Sequence, residues 1–254
     1  MDISKEQTQP QTFKDLIRNM SQNGKRVFLV SIPGTLLISF PLITVLFFFF
    51  DYMIQLGMSV VEIEALRIFN QALLFSVLGV HVFYLLLLDR ELPFKKRVLT
   101  GLKKTALVFP TIIVATILYT VLTTFGLALL VIPGLIIYAY LGLFAQTIAF
   151  ENKGIVKSLM RSRQLVIGSF WRILGLLLLT IISSNVLIVG AEILFLFMLG
   201  TPIFWVDIVI NTILYLFMMP FIGSLYMSMY FDLRARQEAF DYAVFSKERG
   251  QLVS

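Results

Sequence analysis

Between Thr105 and Phe150 the chain carries no charged side chain over 46 residues. As a single α-helix this run would extend about 69 Å, more than twice a hydrocarbon core of about 30 Å. It is therefore too long for one membrane crossing and sized for two. Proline removes a backbone donor and suits the first turn of a new helix, while glycine permits a tight reversal, so Pro133-Gly134 is the predicted break. A break at Phe125-Gly126, with Pro133 kinking the second helix, is the alternative. Charge gives the same count. Lys95, Lys96, Arg97, Lys103 and Lys104 precede the run, and Lys153, Lys157, Arg161 and Arg163 follow it. By the positive-inside rule both flanks lie on the cytoplasmic side, which requires an even number of crossings.

The same reasoning extends along the chain. Hydrophobic residues make up 58% of it and charged ones 14%, with a mean hydropathy of +0.89, a composition outside that of soluble domains. Apolar runs occur at about 27–50, 67–88, 106–131, 133–150, 173–199 and 204–231, each long enough to span. The first starts after a polar stretch of about 26 residues and has no small-residue cleavage site behind it, so it reads as an uncleaved anchor. The expected fold is an all-α bundle of six transmembrane helices forming one membrane domain. Of the 21 Lys and Arg, all but Arg67 fall in the N-terminal segment, the 89–105 and 151–172 loops or the C-terminal tail. The opposite side carries Asp51, Glu62 and Glu64. Both termini are thus expected on the cytoplasmic side, and Trp171 and Trp205 at opposite interfaces. The net charge of +6 expresses this anchoring, and no basic soluble domain exists to bind nucleic acid.

Two segments are amphipathic. Phe13, Leu16, Ile17 and Met20 form a stripe on a short helix with Thr12 and Asp15 at capping-box spacing, expected to lie on the membrane. In ENKGIVKSLMRSRQLVIGSFWR, Ile155, Val156, Leu159, Met160, Val166 and Ile167 share a face. Lys153, Lys157, Arg161, Arg163 and Arg172 are there the candidate contacts for anionic lipid headgroups, against the simpler reading that they only orient the flanking spans. VIPGLIIYAYLGLF followed by ENKGIVKSLMRSRQLVIGSFWRILG resembles the YciC-like family of bacterial inner-membrane proteins. YFDLRARQEAFD is similar to the tail closing the membrane domain of some glycerophosphodiester phosphodiesterases. The likeness covers roughly residues 130–175 and 230–241, with Ala239 in place of an expected glycine. It implies a six-helix inner-membrane protein and supplies no activity, because the soluble catalytic domain has no counterpart here.

Charged and amide side chains inside spans are costly and mark candidate sites. Glu192 and Asp207 approach the outer surface on helices joined by the short Gly200-Thr201-Pro202 turn. Together with Arg67 as counter-charge and His81 in the second span they form a candidate ion or proton site; the competing reading is an interfacial salt bridge. For His81 a hydrogen bond to a Ser, Thr or carbonyl of a neighbouring helix is expected rather than a metal. Asn185, Asn211, Gln146 and the Thr116, Thr120, Thr123, Thr124 series read as interhelical hydrogen-bonding groups. Pro41 and Pro220 predict kinks. Ile32-Pro33-Gly34 and Ile132-Pro133-Gly134 hint at an inverted repeat.

With no cysteine, one histidine and no phosphate loop, zinc motif or nucleophile elbow, neither metal, cofactor nor enzymatic activity is expected. Two functions remain. The first is a non-enzymatic accessory or lipid-handling protein with envelope partners. The second is a small secondary transporter or channel using Glu192, Asp207 and His81.

Overall fold

The computed structural model describes residues 10–89, 91–200 and 204–238, together with 244, 248 and 250. Among the described residues there are eight α-helices and no strand: α1 Phe13–Gln55, α2 Val60–Leu87, α3 Phe94–Leu129, α4 Val131–Leu141, α5 Phe144–Glu151, α6 Ile155–Val166, α7 Phe170–Leu199 and α8 Phe204–Gln237. Six units are long and apolar enough to cross a membrane, with α4 and α5 together forming the fourth. The chain is an all-α, multi-pass membrane protein.

The end from which α1 rises also holds the last turn of α8 and the first of α7. This end is basic, and the far end carries the acids. The N-terminal stripe does not form a separate surface helix, as its amphipathicity suggested. Thr12 and Asp15 close the expected capping box, but the helix they start runs unbroken through the first span to Gln55. Leu16 is fully buried, with Ile17 and Met20 packed beside it in the main core. Ser59 and Glu62 form a second capping box that opens α2, which gives Glu62 a local structural role. The helices continue through Pro33, Pro41, Pro110 and Pro220. Thr44 Oγ1 donates to the Phe40 carbonyl and Ser224 Oγ to that of Pro220, supplying bonds close to two of these prolines.

The break in the long apolar run falls at Leu130, whose extended backbone (φ −160°, ψ 146°) separates α3 from α4. Pro133 stands three residues later, in the first turn of α4, where its missing N–H costs nothing. Gly134 follows because the hairpin is tight. A Cβ on Gly126 would lie 3.0 Å from the Gly134 Cα, and one on Gly134 would overlap Leu127. The two Ile-Pro-Gly tripeptides hold unlike positions, one in the middle of α1 and one at the start of α4, so they do not mark a repeat.

The fourth span is interrupted again at Gly142-Leu143. Here α6 supplies what the backbone lacks: the Leu143 N–H donates to Ser162 Oγ (3.0 Å), which donates in turn to the Tyr140 carbonyl (2.8 Å). One turn further on, in α5, the single proton of Thr147 Oγ1 is shared between the carbonyls of Phe144 and Ser158 (2.7 and 3.1 Å). The face of α6 that turns inward is thus centred on Ser158 and Ser162, flanked by Leu159, Leu165 and Val166. The shared apolar face expected for this helix is split: Leu159 and Val166 point to the core, while Val156, Met160 and Ile167 are exposed.

The main core joins α2, α3, α5 and α8 around Phe83, which stacks on Phe231 and meets Phe150 and Tyr230 edge-on. α1 packs chiefly along α8. α7 stands at the periphery, and its far half, from Val186 to Leu199, is largely exposed apolar surface suited to lipid.

Candidate functional site

At the acidic end, α1, α2, α7 and α8 enclose a cavity of about 320 Å³. Asp51 comes from the penultimate turn of α1, Arg67, Asn70 and Gln71 from α2, Asn185 and Glu192 from α7, and Asp207 and Asn211 from α8. Three of the four residues predicted as an ion site, Glu192, Asp207 and Arg67, therefore line one cavity. Glu192 and Asp207 do not bond directly. Asn211 stands between them, its Nδ2 donating to Glu192 Oε1 (3.1 Å) and to the Asp207 carbonyl (2.9 Å). The amide holds the Glu192 carboxylate through one of its two oxygens. Residues 201–203 of the joining turn lie outside the described residues; Gly200 before them takes the left-handed conformation (φ 72°).

His81 is not part of this site. It stands 14 residues beyond Arg67 on α2, about 21 Å along the helix axis. The expected bond to a neighbouring helix is present: Nδ1 lies 3.4 Å from Thr105 Oγ1, whose own proton goes to the Gly101 carbonyl (2.8 Å). The hydroxyl can then only accept, which places the imidazole proton on Nδ1. Nε2 is buried without a partner and abuts Gly34, where a Cβ would overlap the ring.

The basic end contains two ion-pair clusters. In the first, Asp232, fully buried, accepts from Arg172 (3.0 Å) and Arg236 (3.1 Å) and from the backbone N–H of Gln11 (2.6 Å). Both guanidinium groups also donate to the Gln11 carbonyl, at 2.7 and 2.6 Å, and Asn19 holds the Gln11 side chain. In the second, Glu151 accepts from Lys153, Arg161 and the Tyr230 hydroxyl. Arg161 continues to Glu238, which pairs with Arg234, and Arg234 pairs in turn with Glu248. The Arg234 guanidinium lies over the rings of Phe150 and Tyr230. Burial raises the Glu238 carboxyl, but hydrogen bonds from Arg161 and Arg234 outweigh that and hold it below the ordinary glutamate value.

Of the five cations expected to meet lipid headgroups, Lys153, Arg161 and Arg172 are thus committed to carboxylates within the protein. Lys157 and Arg163 are exposed and show no ion pair among the described residues. Sequence reasoning missed these clusters. Asp232/Arg236 and Arg234/Glu238 have the i,i+4 spacing that supports a helix extending from the sixth span, and both pairs form on α8, which runs on to Gln237. Glu151, an acid heading a basic loop, was the other available signal. Ala239 of the tail lies outside the described residues.

Chemically, the acidic cavity offers three carboxylates against one guanidinium, a setting for a cation or a proton. Among the described residues, no three His, Asp or Glu side chains are gathered closely enough to hold a metal ion. The fold and cavity define a helical membrane protein with an acid-lined vestibule. No family model, curated protein or solved structure matches the chain.

Proposed function

We propose that this protein is a small cation-handling membrane protein, a secondary transporter or channel that admits its ion at the acidic end. One observation carries the reading: Asp51, Glu192 and Asp207, from three different helices, converge with Arg67 on a single cavity. An excess of carboxylates in a low-dielectric cleft concentrates cations at its mouth. Intramembrane acids gathered from separate helices are the usual markers of ion pathways. We place the protein in a bacterial cytoplasmic membrane with both termini inside, supported by the lysines and arginines of the basic end and by the likeness to the YciC-like proteins. The acidic cavity then opens outward.

The test is flux in proteoliposomes loaded with the full-length chain, followed for protons, Na⁺ and K⁺ with ion-sensitive dyes. Glu192→Gln combined with Asp207→Asn is expected to lower the flux at least tenfold with the melting temperature in detergent unchanged. Silence of the unaltered protein toward all three ions, or equal flux by the variant, overturns the proposal.

A specific observation also supports an accessory, lipid-handling reading with envelope partners. Lys157 and Arg163 are exposed beside the exposed Val156, Met160 and Ile167, with Trp171 close by in sequence. Such a surface fits the headgroup layer of an anionic membrane. Lys157→Gln with Arg163→Gln should then reduce co-purifying anionic lipid without altering ion flux; an unchanged lipid complement removes this reading.

A further inference from the structure

The charged and apolar residues around the acidic cavity are ordered by depth. α1 and α7 rise toward the acidic end, and α2 and α8 leave it. On each of these helices the charged residue stands nearer that end than most of the apolar lining. Phe47 and Ile43 lie four and eight residues inward of Asp51, Leu74 seven inward of Arg67, Ile188 four inward of Glu192 and Tyr215 eight inward of Asp207. At 1.5 Å per residue the apolar level is about 6–12 Å deeper than the charged one. Ile43, Leu74 and Tyr215 are buried members of one hydrophobic cluster, with Phe47 and Ile188 packed against it. The cavity thus has a charged rim and an apolar floor, with Asn185 the amide at the deeper level and Ile54 the apolar residue beyond the rim.

The rim can be reached. Asp51 is exposed, and Glu192 and Asp207 are half-buried. It is not built as a metal site, because a bare divalent ion needs several oxygens drawn to one point within about 2.6 Å, and among the described residues no three His, Asp or Glu come close enough. Two of the acids already hold an amide: Asp51 accepts from Gln55 Nε2 (2.8 Å) and Glu192 from Asn211. Carboxylates spread over three helices act on a cation by their summed field rather than by coordination. The floor offers nothing to an inorganic ion, which loses hydration there that it cannot recover. It suits alkyl groups, whose burial is favourable. Aromatic side chains such as Phe47 and Tyr215 are the usual companions of quaternary ammonium groups.

We infer that the cargo of this cavity is a small organic cation, an ammonium with a compact apolar body, its charge at the level of Asp51, Glu192 and Asp207 and its body toward the floor. The inference rests on the cation-handling reading and names the substrate class of the same site. The volume sets the size. About 320 Å³ lies within the range of small-molecule pockets. An apolar cavity of about 150 Å³ accepts benzene, so this one holds up to about twelve non-hydrogen atoms. In an exchanger the inorganic ion takes the same acids in turn, as coupling ion to the organic cargo.

Choline and 3,3-dimethyl-1-butanol form the discriminating pair, equal in shape, with the cationic nitrogen of one replaced by carbon in the other. The full-length chain in neutral maltoside micelles, with empty micelles as control, is titrated calorimetrically with choline chloride, the alcohol, NaCl and KCl. Saturable choline binding is expected, with the alcohol and both salts at least tenfold weaker. Glu192→Gln combined with Asp207→Asn leaves one carboxylate against one guanidinium and should lower choline affinity at least tenfold. Equal binding of the alcohol, of Na⁺ or of K⁺ overturns the inference, as does unchanged choline affinity in the double variant. So does absence of saturable choline binding by the unaltered chain. Proton, Na⁺ or K⁺ flux alongside any of these results leaves the cation reading standing, whereas choline binding by a chain silent to all three ions overturns that reading and keeps the site. The comparison of probes on the unaltered chain needs no variant to fold.

Discussion

His81 shows how a polar side chain is kept in a bundle core without a charge. Its ring fills the gap left by Gly34 on α1 and is oriented by Thr105 on α3, so three helices meet at one imidazole. Gly34→Ala is expected to destabilise the protein by about 1–3 kcal/mol, the usual cost of overpacking, read as a fall in melting temperature in detergent. The same change in a His81→Ala background should cost much less; an equal cost in both would show that the methyl meets something else. At the basic end, Asp232 pairs with both Arg172 and Arg236 and accepts from the Gln11 N–H. Removing one partner of a buried pair leaves uncompensated charge, so Asp232→Ala should cost about 3 kcal/mol, measured the same way. Glu238 adds a pH dependence. Its folded value lies below the ordinary one near 4.3, so its contribution is complete above that pH and disappears as pH falls through the lowered folded value. Melting temperature should therefore drop on acidification below about pH 4, and Glu238→Gln should drop less steeply. Glu192, Asp207 and Arg67 were legible in the sequence because a charge in or beside an apolar run has few places to go. The bond between Gln11 and Asp232 was not, since 221 positions separate its partners and no local pattern joins them.

Among the elements, the fourth span departs furthest from what periodicity suggests. Two crossings were readable from length alone, and Gly134 from the need for a tight hairpin. The turn itself fell at Leu130 because proline is tolerated throughout the first turn of a helix and need not begin it. The second interruption, at Gly142-Leu143, had no signal beyond a glycine, because what permits it is Ser162 on another element. That gives α6 a role beyond surface attachment. Ser162→Ala would remove both the acceptor for Leu143 N–H and the donor to the Tyr140 carbonyl, at a cost of about 1–3 kcal/mol. Hydrogen exchange should then quicken at Leu143 while α1 keeps its protection. Unchanged exchange there would mean that the break is held by the packing of α4 and α5 alone. The capping boxes opening α1 and α2 illustrate the opposite case. Thr12/Asp15 was readable three residues apart, and only the length of the helix it starts was missed, because helical propensity continues across the membrane interface.

At the scale of the whole molecule, charge and chemistry divide along one axis. Lysine and arginine collect where α1 begins and α8 ends, and there five of them, Lys153, Arg161, Arg172, Arg234 and Arg236, are tied to Asp232, Glu151 or Glu238 beside the Phe83 aromatic cluster. At the other end the acids line open space. The proposed ion entry faces outward only when the basic end is cytoplasmic. Orientation is therefore the premise on which the functional reading turns, and the absence of cysteine makes it directly measurable. Gln55→Cys, at the last residue of α1, and Lys96→Cys, in the first turn of α3, place single exposed thiols at opposite ends of the bundle. A membrane-impermeant maleimide applied to intact spheroplasts should label the first and spare the second until the membrane is opened. Labelling of Lys96→Cys from outside would invert the molecule: the acidic cavity would then face the cytoplasm and the ion-pair clusters the exterior.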